Sequence, residues 1–395
     1  MTRSVVVVGA GIVGLAVARE LQNRGLRVCV LDKEQRIAQH QTGRNSGVIH
    51  SGLYYAPGSR KAAMGTAGAQ SMRDFARAHG VAMEICGKLV VATDAAQVPA
   101  LMRLLERGLA NGVPVRAVDA AEAREFEPHV SCVAALRVES TGIVDFPGVC
   151  AVLADLIETD GGEIRLGAAV SEIRSDGRGA TVVTAGGDIR ADYAVNCAGL
   201  HADSLARRSG LRPSVRIVPF RGEYFELAEH QRHLVRGLIY PVPDPRFPFL
   251  GVHLTKMIGG GVHAGPNAVL ALAREGYTWG DVRPGDVLDY ARWPGSWRLF
   301  RKYWRTGADE VARSLSRRRF GDSLRQLVPD VDPATLVPAR SGVRAQALQR
   351  NGQLVDDFHF EHGPRQTHIL NAPSPAATAS LEIASAVADR VCEHC

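Results

Sequence analysis

The N-terminal stretch of the chain constrains the fold more tightly than any other part of the sequence. A β-branched run leads directly into Gly9-Ala-Gly11-Ile-Val-Gly14, and apolar residues then recur at the spacing of a helix face. A second apolar strand closes on an acidic residue, which completes the order typical of a dinucleotide-binding fold. The predicted elements are strand Ser4–Val8, helix Leu15–Arg24, the helix-ending Gly25, strand Arg27–Leu31 and the acid Asp32.

Each residue type in this turn has a physical role in binding a dinucleotide. Gly9 allows the tight turn, Gly11 lets the backbone approach a pyrophosphate, and Gly14 lets the helix lie close to the strand. The helix N-terminus offers free N–H groups and partial positive charge to the phosphates, and Asp32 is placed to bind ribose hydroxyls. The predicted contacts are Gly9, Gly11, Ile12, Val13, Gly14, Asp32 and Lys33.

The segment that follows favours FAD over NAD. Residues 40–52 are rich in glycine and small hydroxyl side chains and include an arginine, which suits close approach to a second stretch of diphosphate and a flat ring. No second GxGxxG occurs, whereas a flavoprotein reduced by a nicotinamide needs two nucleotide sites. One site implies a single flavin that an organic substrate reduces directly. The predicted contacts here are Thr42, Gly43, Arg44, Asn45, Ser46 and His50.

Composition excludes several other classes of protein. An apolar share of 46% with 22% charged residues is typical of a globular chain, and no apolar run approaches the roughly 20 residues of a membrane helix. The seven cysteines are scattered, and Cys392-Glu-His-Cys395 has no second pair, so we expect neither a disulfide framework nor a metal site. With a first strand predicted from Ser4, we expect no signal peptide and a cytoplasmic protein.

The net charge of +6 is concentrated in one segment. Residues 276–320 hold ten Lys or Arg against five Asp or Glu, together with all four tryptophans, so the surplus is local and argues against nucleic acid as a partner. Ser296–Arg305 predicts an amphipathic helix capped by Ser296. One arc holds Trp297, Leu299, Phe300, Tyr303 and Trp304, and the opposite arc holds Arg298, Arg301, Lys302 and Arg305. Residues 293–319 suit either peripheral contact with anionic lipid on the inner face of the cytoplasmic membrane or a helix packed on the rest of the protein.

Eight further segments extend the pattern over nearly the whole chain. They are 42–55 (TGRNSGVIHSGLYY), 86–92 (CGKLVVA), 196–203 (NCAGLHAD), 219–225 (PFRGEYF), 238–245 (LIYPVPDP), 251–255 (GVHLT), 265–270 (GPNAVL) and 371–378 (NAPSPAAT). Together they resemble the L-2-hydroxyglutarate dehydrogenase (oxidase) family of the D-amino-acid-oxidase-like FAD-dependent oxidoreductases. The resemblance implies oxidation of L-2-hydroxyglutarate to 2-oxoglutarate by hydride transfer from C2 to flavin N5. It also implies non-covalent FAD, although His50 falls where some members of the superfamily attach FAD covalently.

The resemblance implies an α/β fold of the D-amino-acid oxidase or glycine oxidase type. A Rossmann-like FAD-binding domain is expected from residues 1–86, 141–212 and 336–395, and a mixed-sheet substrate domain from 87–140 and 213–335. Sequence patterns add a strand pair within Gly162–Ser171, a hairpin of Ala180–Thr184 and Ile189–Ala191, and a buried strand Tyr193–Cys197. The further FAD contacts expected from these parts are Val170, Ala198, Gly199, Gly342, Ser374, Pro375, Ala376, Ala377 and Thr378.

Two more expectations concern the roof of the flavin site and the C-terminal helix. A mixed sheet is expected from Lys88–Ala92, Arg216–Phe220, Glu223–Leu227 and Phe249–Thr255, with Tyr240–Pro248 as a rigid loop and 341–346 as a strand. Ala379–Arg390 predicts a helix that Ser374-Pro375 introduces. In the resembled fold, this helix points its N-terminus at the flavin and stabilises negative charge there.

Oxidising a 2-hydroxy acid needs a cation for the carboxylate and a base for the hydroxyl proton. Arg344 matches the Gly-x-Arg position that binds substrate carboxylates in amino-acid oxidases, and Arg221 is a candidate for the second carboxylate of a diacid. His253 and His50 are the candidate bases, because histidine titrates near working pH, and Tyr54 is a candidate hydrogen-bond donor. Each has an ordinary structural alternative, as a surface charge, a core histidine or a packed tyrosine.

Three functions stay open at this level. The first is an FAD dehydrogenase for L-2-hydroxyglutarate that passes electrons to a membrane quinone or another acceptor. The second is an amine or amino-acid oxidase of the same superfamily, acting on substrates such as glycine or sarcosine with O₂. The third is a non-catalytic FAD-binding protein associated with membranes.

Overall fold

The computed structural model of the protein describes residues 2–243 and 251–395. Within these ranges the helices are α1 Ile12–Asn23, α2 Arg60–Ala78, α3 Val98–Ala110, α4 Ala120–Phe126, α5 Phe146–Thr159, α6 Ala202–Arg208, α7 Pro284–Ala291, α8 Pro294–Ser314, α9 Arg317–Arg325 and α10 Ser380–His394. The strands are β1 Ser4–Val8, β2 Arg27–Leu31, β3 Val48–Ile49, β4 Met83–Glu84, β5 Lys88–Ala92, β6 Val115–Asp119, β7 Ala134–Val138, β8 Gly142–Val144, β9 Glu163–Arg165, β10 Val170–Ser175, β11 Ala180–Thr184, β12 Gly187–Ala191, β13 Tyr193–Asn196, β14 Val215–Gly222, β15 Phe225–Glu226, β16 Leu238–Pro241, β17 His253–Lys256, β18 Val262–Gly265, β19 Val269–Leu270, β20 Val337–Pro338, β21 Gly342–Gln349, β22 His359–Gly363 and β23 Gln366–Asn371.

A mostly parallel sheet forms the first layer of the fold. Its described strands run in the order β22-β23-β13-β1-β2-β9, and β1 lies parallel between β13 and β2. One face packs on α1, α5 and α10, and the other packs on the β10–β12 sheet and α6. Because both faces are covered, the central strands are nearly continuous runs of valine, as the sequence predicted for β1. The strand–helix–strand order predicted for the N-terminal stretch is confirmed.

A second sheet forms the roof of the molecule. Its described strands run in the order β20-β15-β18-β17-β16-β5-β7-β6, and β5 is parallel to β16 and antiparallel to β7. Lys88–Ala92 joins this sheet as predicted. Tyr240 and Pro241, which were expected in a loop, are the end of β16, while 244–250, including Phe249, lie outside the described residues.

The prediction that Arg216–Phe220 joins the roof is wrong. This segment belongs to β14, which pairs along all eight of its residues with β21 in a separate sheet that β19 completes. β14 and β21 have equal length, so β21 pairs with the whole of one edge of β14. This pairing holds β14 in the separate sheet. The register places Phe220 opposite Arg344.

The basic, Trp-rich segment forms α8, but not with the predicted cap. The helix begins at Pro294 with Trp293 as its N-cap, because proline at the first position is already preorganised for a helix. Ser296 lies in the first turn and is buried, so its hydroxyl does not cap the helix. Leu299 and Trp293 pack against β14 and β21, and Tyr303 interrupts the helical backbone. In the described ranges no helix is both long enough and apolar enough to cross a bilayer.

Candidate functional site

A cavity of about 1000 Å³ lies between the parallel sheet, the roof and the loop before α10. Its dinucleotide end is formed by the turn from β1 into α1. Gly9 has φ +110°, and a Cβ at Gly14 would lie 1.8 Å from the Gly9 carbonyl oxygen. Only glycine therefore allows the helix this close to the strand. The N-cap residue Gly11 makes no side-chain cap, so the N-terminus of α1 keeps N–H groups for a ligand.

Asp32 and the loop after β2 hold this turn in shape. The Asp32 carboxylate accepts hydrogen bonds from the backbone N–H groups of Ala10 (2.6 Å) and Glu34 (2.8 Å). The Thr42 hydroxyl accepts one from the N–H of Ile12 at 3.1 Å. Asn45 accepts a hydrogen bond from the N–H of Gly47 (2.7 Å) and donates to the Thr42 carbonyl (2.7 Å), which fixes the loop. The geometry leaves these side chains on the cavity wall.

The structure brings almost all of the predicted cofactor contacts to this one cavity. Gly43 is the exception, because it packs against the Ala38 carbonyl and does not line the wall. A Cβ at Gly43 would lie 2.4 Å from the Ala38 carbonyl oxygen. The predicted contacts that line the cavity are Gly9, Gly11, Ile12, Val13, Gly14, Asp32, Lys33, Thr42, Arg44, Asn45, Ser46, His50, Val170, Ala198, Gly199, Gly342, Ser374, Pro375, Ala376, Ala377 and Thr378.

The C-terminal helix α10 begins at Ser380, one residue after the predicted start at Ala379. The Ser374-Pro375 pair that was expected to introduce the helix lies before it, and the intervening residues form turns. The turns result from local pairing, in which the N–H of Ala376 donates to the Pro373 carbonyl and the N–H of Ala379 donates to the Pro375 carbonyl. Thr378 is fully buried and bridges the backbone of β3, since its hydroxyl donates to the Val48 carbonyl and accepts from the N–H of His50. These contacts place the loop before α10 on the cavity wall.

Two histidines and two tyrosines form the opposite end of the cavity. His253 is 5% exposed and stacks on Tyr240, with ring centroids 3.9 Å apart. His50 lies beside the loop before α10, with Nε2 3.2 Å from the Ser374 hydroxyl. Its Nδ1 and the hydroxyl of Tyr54 are buried without a hydrogen-bond partner among the described residues. Unpartnered buried polar atoms on a cavity wall are the groups that a polar ligand would satisfy.

Burial keeps both histidines uncharged. It lowers the pKa of His253 to about 3, with Arg344 and Lys88 adding repulsion, and the pKa of His50 to about 3, with Lys88 adding repulsion. The Nδ1 atom of His253 lies 3.0 Å from the Gly251 carbonyl, which only accepts hydrogen bonds, so Nδ1 carries the proton and donates it. The neutral ring then keeps its lone pair on Nε2, the nitrogen that can receive a proton.

The two predicted carboxylate-binding arginines have different surroundings. Arg344 projects from β21 into the cavity wall. Arg221 does not line the cavity: it is 1% exposed, pairs with Glu223 at 3.0 Å and donates to the Thr278 carbonyl at 2.9 Å. The Cζ atom of Arg221 lies over Trp279, 4.4 Å from the centroid of the tryptophan ring. The structure thus places Arg221 in contact with groups of the protein and away from the cavity wall, and a contact between Arg221 and the second carboxylate stays a prediction.

Several cavity residues were not singled out by the sequence. A network at the dinucleotide end joins Glu275 to Lys33 (2.8 Å) and His201 (2.9 Å), and Glu34 to His40 (3.0 Å). Ligand-type atoms of Glu34, His40 and Glu275 lie within 4.8 Å of one another, and the Lys33 ammonium contacts both carboxylates. At the other end, the sequence did not single out the cavity residue Tyr240 or the buried Lys88 next to it.

Comparisons with known proteins match this chain to one family of enzymes over nearly its full length. Residues 4–390 match the family described as DAO, FAD dependent oxidoreductase. An L-2-hydroxyglutarate dehydrogenase of Indibacter alkaliphilus is 44% identical, over 98% of this chain and 98% of the relative. The L-2-hydroxyglutarate dehydrogenase of Escherichia coli is 41% identical over 98% of this chain and 92% of the relative. The mitochondrial L-2-hydroxyglutarate dehydrogenase of Homo sapiens is 41% identical over 98% of this chain and 88% of the relative.

Solved structures share the fold at lower sequence identity. The L-α-glycerophosphate oxidase of Mycoplasma pneumoniae, solved with FAD bound, has a TM-score of 0.81 at 21% identity over 100% of this chain and 95% of that chain. The glycine oxidase of Geobacillus kaustophilus has a TM-score of 0.74 at 22% identity over 99% and 95%. The expected D-amino-acid oxidase type of fold is confirmed.

Proposed function

The chain belongs to the DAO family of FAD-dependent oxidoreductases and, within it, to the L-2-hydroxyglutarate dehydrogenases, and we propose on this basis that it oxidises L-2-hydroxyglutarate to 2-oxoglutarate. The observation that carries the proposal is the similarity to enzymes of that name over 98% of the chain, joined to a cavity that holds an arginine and two neutral histidines. Similarity to glycine oxidase is at the level of the fold and adds no support for an amine substrate.

The cavity fits FAD on four counts. Its volume of about 1000 Å³ is at the upper end of ligand pockets, which hold about 300–1,000 Å³. The glycine turn leaves room for a pyrophosphate beside the N-terminus of α1, and Asp32 lies at the wall for the ribose. His50 Nδ1 and the Tyr54 hydroxyl lack partners at the other end. We propose that FAD binds there non-covalently, held by the predicted contacts that line the wall.

Substrate binding is assigned to the end of the cavity that the roof covers. FAD, when bound, supplies the acceptor for the hydride that leaves C2. The Arg344 guanidinium has a planar pair of donors whose geometry matches a carboxylate. Arg344 belongs to β21 and contributes a positive charge to the cavity wall. The Tyr54 hydroxyl, buried and unpartnered, is available to donate to an oxygen of the substrate. Such contacts fix the orientation of C2.

The hydroxyl proton is assigned to His253. Its Nδ1–H donates to the Gly251 carbonyl, so the ring orientation and tautomer are fixed and Nε2 is free to accept the proton. The basicity of a histidine with a pKa of about 3 is low, but an anionic substrate beside it favours the protonated form and raises the pKa in the complex. His50, which has the same charge state but a contact to Ser374, is the second candidate.

The Trp-rich segment supports a proposal about the electron acceptor. Trp297 is 66% and Trp304 is 62% exposed, and Arg298, Arg301 and Arg305 flank them on the surface of α8. Large exposed aromatics beside a cationic surface suit the interface of an anionic membrane. We propose peripheral contact with a membrane through residues 293–319, with a quinone as the acceptor.

An anaerobic bleaching panel tests the proposed function. The yellow holoenzyme is mixed with L-2-hydroxyglutarate, D-2-hydroxyglutarate, glycine and sarcosine, and flavin absorbance near 450 nm is followed. That wavelength is about where oxidised flavin absorbs. We expect bleaching by L-2-hydroxyglutarate alone. Bleaching by the amines instead would support the amine oxidase, and bleaching by none of the four would support the non-catalytic protein.

A further inference from the structure

Lys88 is a buried cation beside the substrate end of the cavity, and it has no anionic partner among the described residues. It begins β5, in the middle of the roof, where it pairs with Leu238 of β16 and Val138 of β7. Its exposed fraction is 1%. Among the described residues, no carboxylate lies within 4.0 Å of Nζ, and Nζ makes no hydrogen bond.

The surroundings of Lys88 connect it to the candidate site. Its Nζ lies 4.5 Å from the ring centroid of Tyr54 and 5.2 Å from that of Tyr240, and both tyrosines line the cavity. Tyr240 in turn stacks on His253. Two aromatic faces attract a cation, but far less strongly than a carboxylate in a low-dielectric site. Lys88 thus lies directly behind the wall that the substrate would contact.

The groups that face Lys88 carry no negative charge in the described part of the chain. They are the neutral imidazoles of His50 and His253, whose pKa values its charge helps to lower, and the phenols of Tyr54 and Tyr240. Arg344 adds a second positive charge near His253 and Tyr240, because it lowers the pKa of both groups. A dicarboxylate would supply the negative charge that the described residues facing Lys88 lack.

Composition makes the presence of a lysine here informative. The chain has 42 arginines and only five lysines, at positions 33, 61, 88, 256 and 302. Arginine cannot lose its proton in a protein, whereas a buried lysine can. Burial lowers the pKa of Lys88 to about 7. Lys88 is thus able to switch its charge near neutral pH.

We propose that Lys88 is a positioning residue whose ammonium group, acting across the faces of Tyr54 and Tyr240, provides the positive charge that balances the second carboxylate of the substrate. This inference rests on the proposed function, since that function supplies the diacid. The sign of the pH dependence follows from the charge. Lys88 is cationic below its pKa and neutral above it, so binding of a dianion weakens as pH rises through about 7.

Binding of glutarate to the holoenzyme tests the proposal without turnover, because glutarate has both carboxylates but no hydroxyl to oxidise. The readout is the change in the flavin absorption spectrum, titrated between about pH 5.5 and 9, a range that brackets an ordinary histidine and the shifted lysine. The wild-type Kd should rise about tenfold across this range. Lys88→Met should bind weakly at every pH and lose the dependence. Lys88→Arg should bind at pH 9 about as tightly as wild type binds at pH 6.

A matched control removes a lysine that belongs to the same sheet but not to the site. Lys256 of β17 pairs with Glu84 at 2.7 Å on the surface, so Lys256→Met should keep the wild-type profile. Thermal melts and flavin content verify that each variant is folded. A Lys88→Met protein with the wild-type Kd and pH dependence overturns the inference, as does a wild-type Kd that is flat in pH. Failure of the proposed function has a different signature, which is a wild-type flavin that L-2-hydroxyglutarate does not bleach.

Discussion

His253 lies flat against Tyr240, with ring centroids 3.9 Å apart and ring planes 28° apart. The two residues belong to neighbouring antiparallel strands, and both are almost fully buried. The stack fixes the plane of the imidazole, and the Gly251 carbonyl fixes its rotation by accepting the Nδ1 proton. A candidate base is therefore held by the rigid roof rather than by a loop, which is the support that proton transfer at a defined atom requires.

Removing the lone pair of His253 should slow the reaction without unfolding the protein. His253→Asn keeps an N–H that can donate to Gly251 but lacks Nε2. We expect the rate constant of flavin reduction at saturating L-2-hydroxyglutarate to fall about 10²–10⁴-fold, measured by anaerobic stopped flow. His230→Asn, at an exposed position, is the control and should keep the wild-type rate. A wild-type rate in His253→Asn would move the proton acceptor to His50.

Arg344 should matter for substrate affinity through the shape of its side chain as well as its charge. Arg344→Gln removes the guanidinium, and we expect kcat/KM to fall about 30- to 1,000-fold, the equivalent of about 2–4 kcal/mol for a buried charged contact. Arg344→Lys should restore little, since an ammonium lacks the planar pair of donors. Arg340→Gln, an exposed neighbour on the same chain segment, serves as the control. A variant with normal kcat/KM would show that the carboxylate binds elsewhere.

The buried histidines should make the protein less stable in mild acid. Burial lowers the pKa of His50 and His253 to about 3 and that of His368 to about 4. The pKa of a histidine in the unfolded chain is about 6.5. Below 6.5 the unfolded chain binds protons that the folded chain does not, so stability is full above that pH and falls as pH decreases towards the folded values. The loss should approach about 1.4 kcal/mol per pH unit for each histidine.

Urea unfolding of the holoenzyme between pH 7.5 and 5 isolates this effect, because in that interval few carboxylates titrate: their ordinary pKa values are about 4. His368 is fully buried and hydrogen-bonds to Asn196 at 2.9 Å, remote from the substrate end. His368→Gln should therefore reduce the pH slope of the free energy of unfolding. An unfolding free energy that does not change between pH 7.5 and 5 would contradict the lowered pKa values of the buried histidines.

Membrane contact through α8 should depend on its exposed tryptophans. Replacing Trp297 and Trp304 together with serine removes two large apolar groups that the fold does not bury. We expect at least about tenfold weaker binding to vesicles that contain anionic lipid, in a flotation assay, with flavin bleaching unchanged. Val133→Ser, at a 50% exposed apolar position outside the segment, is the control. If the double variant floats with the vesicles as well as the wild type does, or if the wild type does not float, α8 is a helix that packs on the protein and does not bind membranes.

The parts of the fold that sequence predicted well are governed by local rules. Gly9 is required by its φ of +110°, and Gly14 is required by its close approach to the Gly9 carbonyl oxygen, so the spacing of the two glycines specifies the β1–α1 turn. The β11–β12 hairpin and the buried strand β13 likewise follow from residue alternation and turn residues. Most predicted cofactor contacts line one cavity for the same reason, because they lie at the ends of these elements.

The sequence was less informative where the full set of contacts around a side chain decides its role. Arg221 has the residue type of a carboxylate binder, yet Glu223 and the Thr278 carbonyl engage its donors. Ser296 has the residue type of a cap, but the proline two positions earlier starts the helix. Lys88 was missed because a lysine in a strand says nothing about burial; only the packing of Tyr54 and Tyr240 over it makes the site evident.

Anaerobic titration of the holoenzyme with L-2-hydroxyglutarate, with the product quantified, measures flavin reduction and substrate oxidation together. We expect the flavin to bleach to an end point of about one equivalent, in line with a two-electron reduction, and each reduced flavin to be matched by one molecule of 2-oxoglutarate. The D enantiomer should give neither. A flavin that stays oxidised, or one that bleaches without formation of 2-oxoglutarate, would contradict the account.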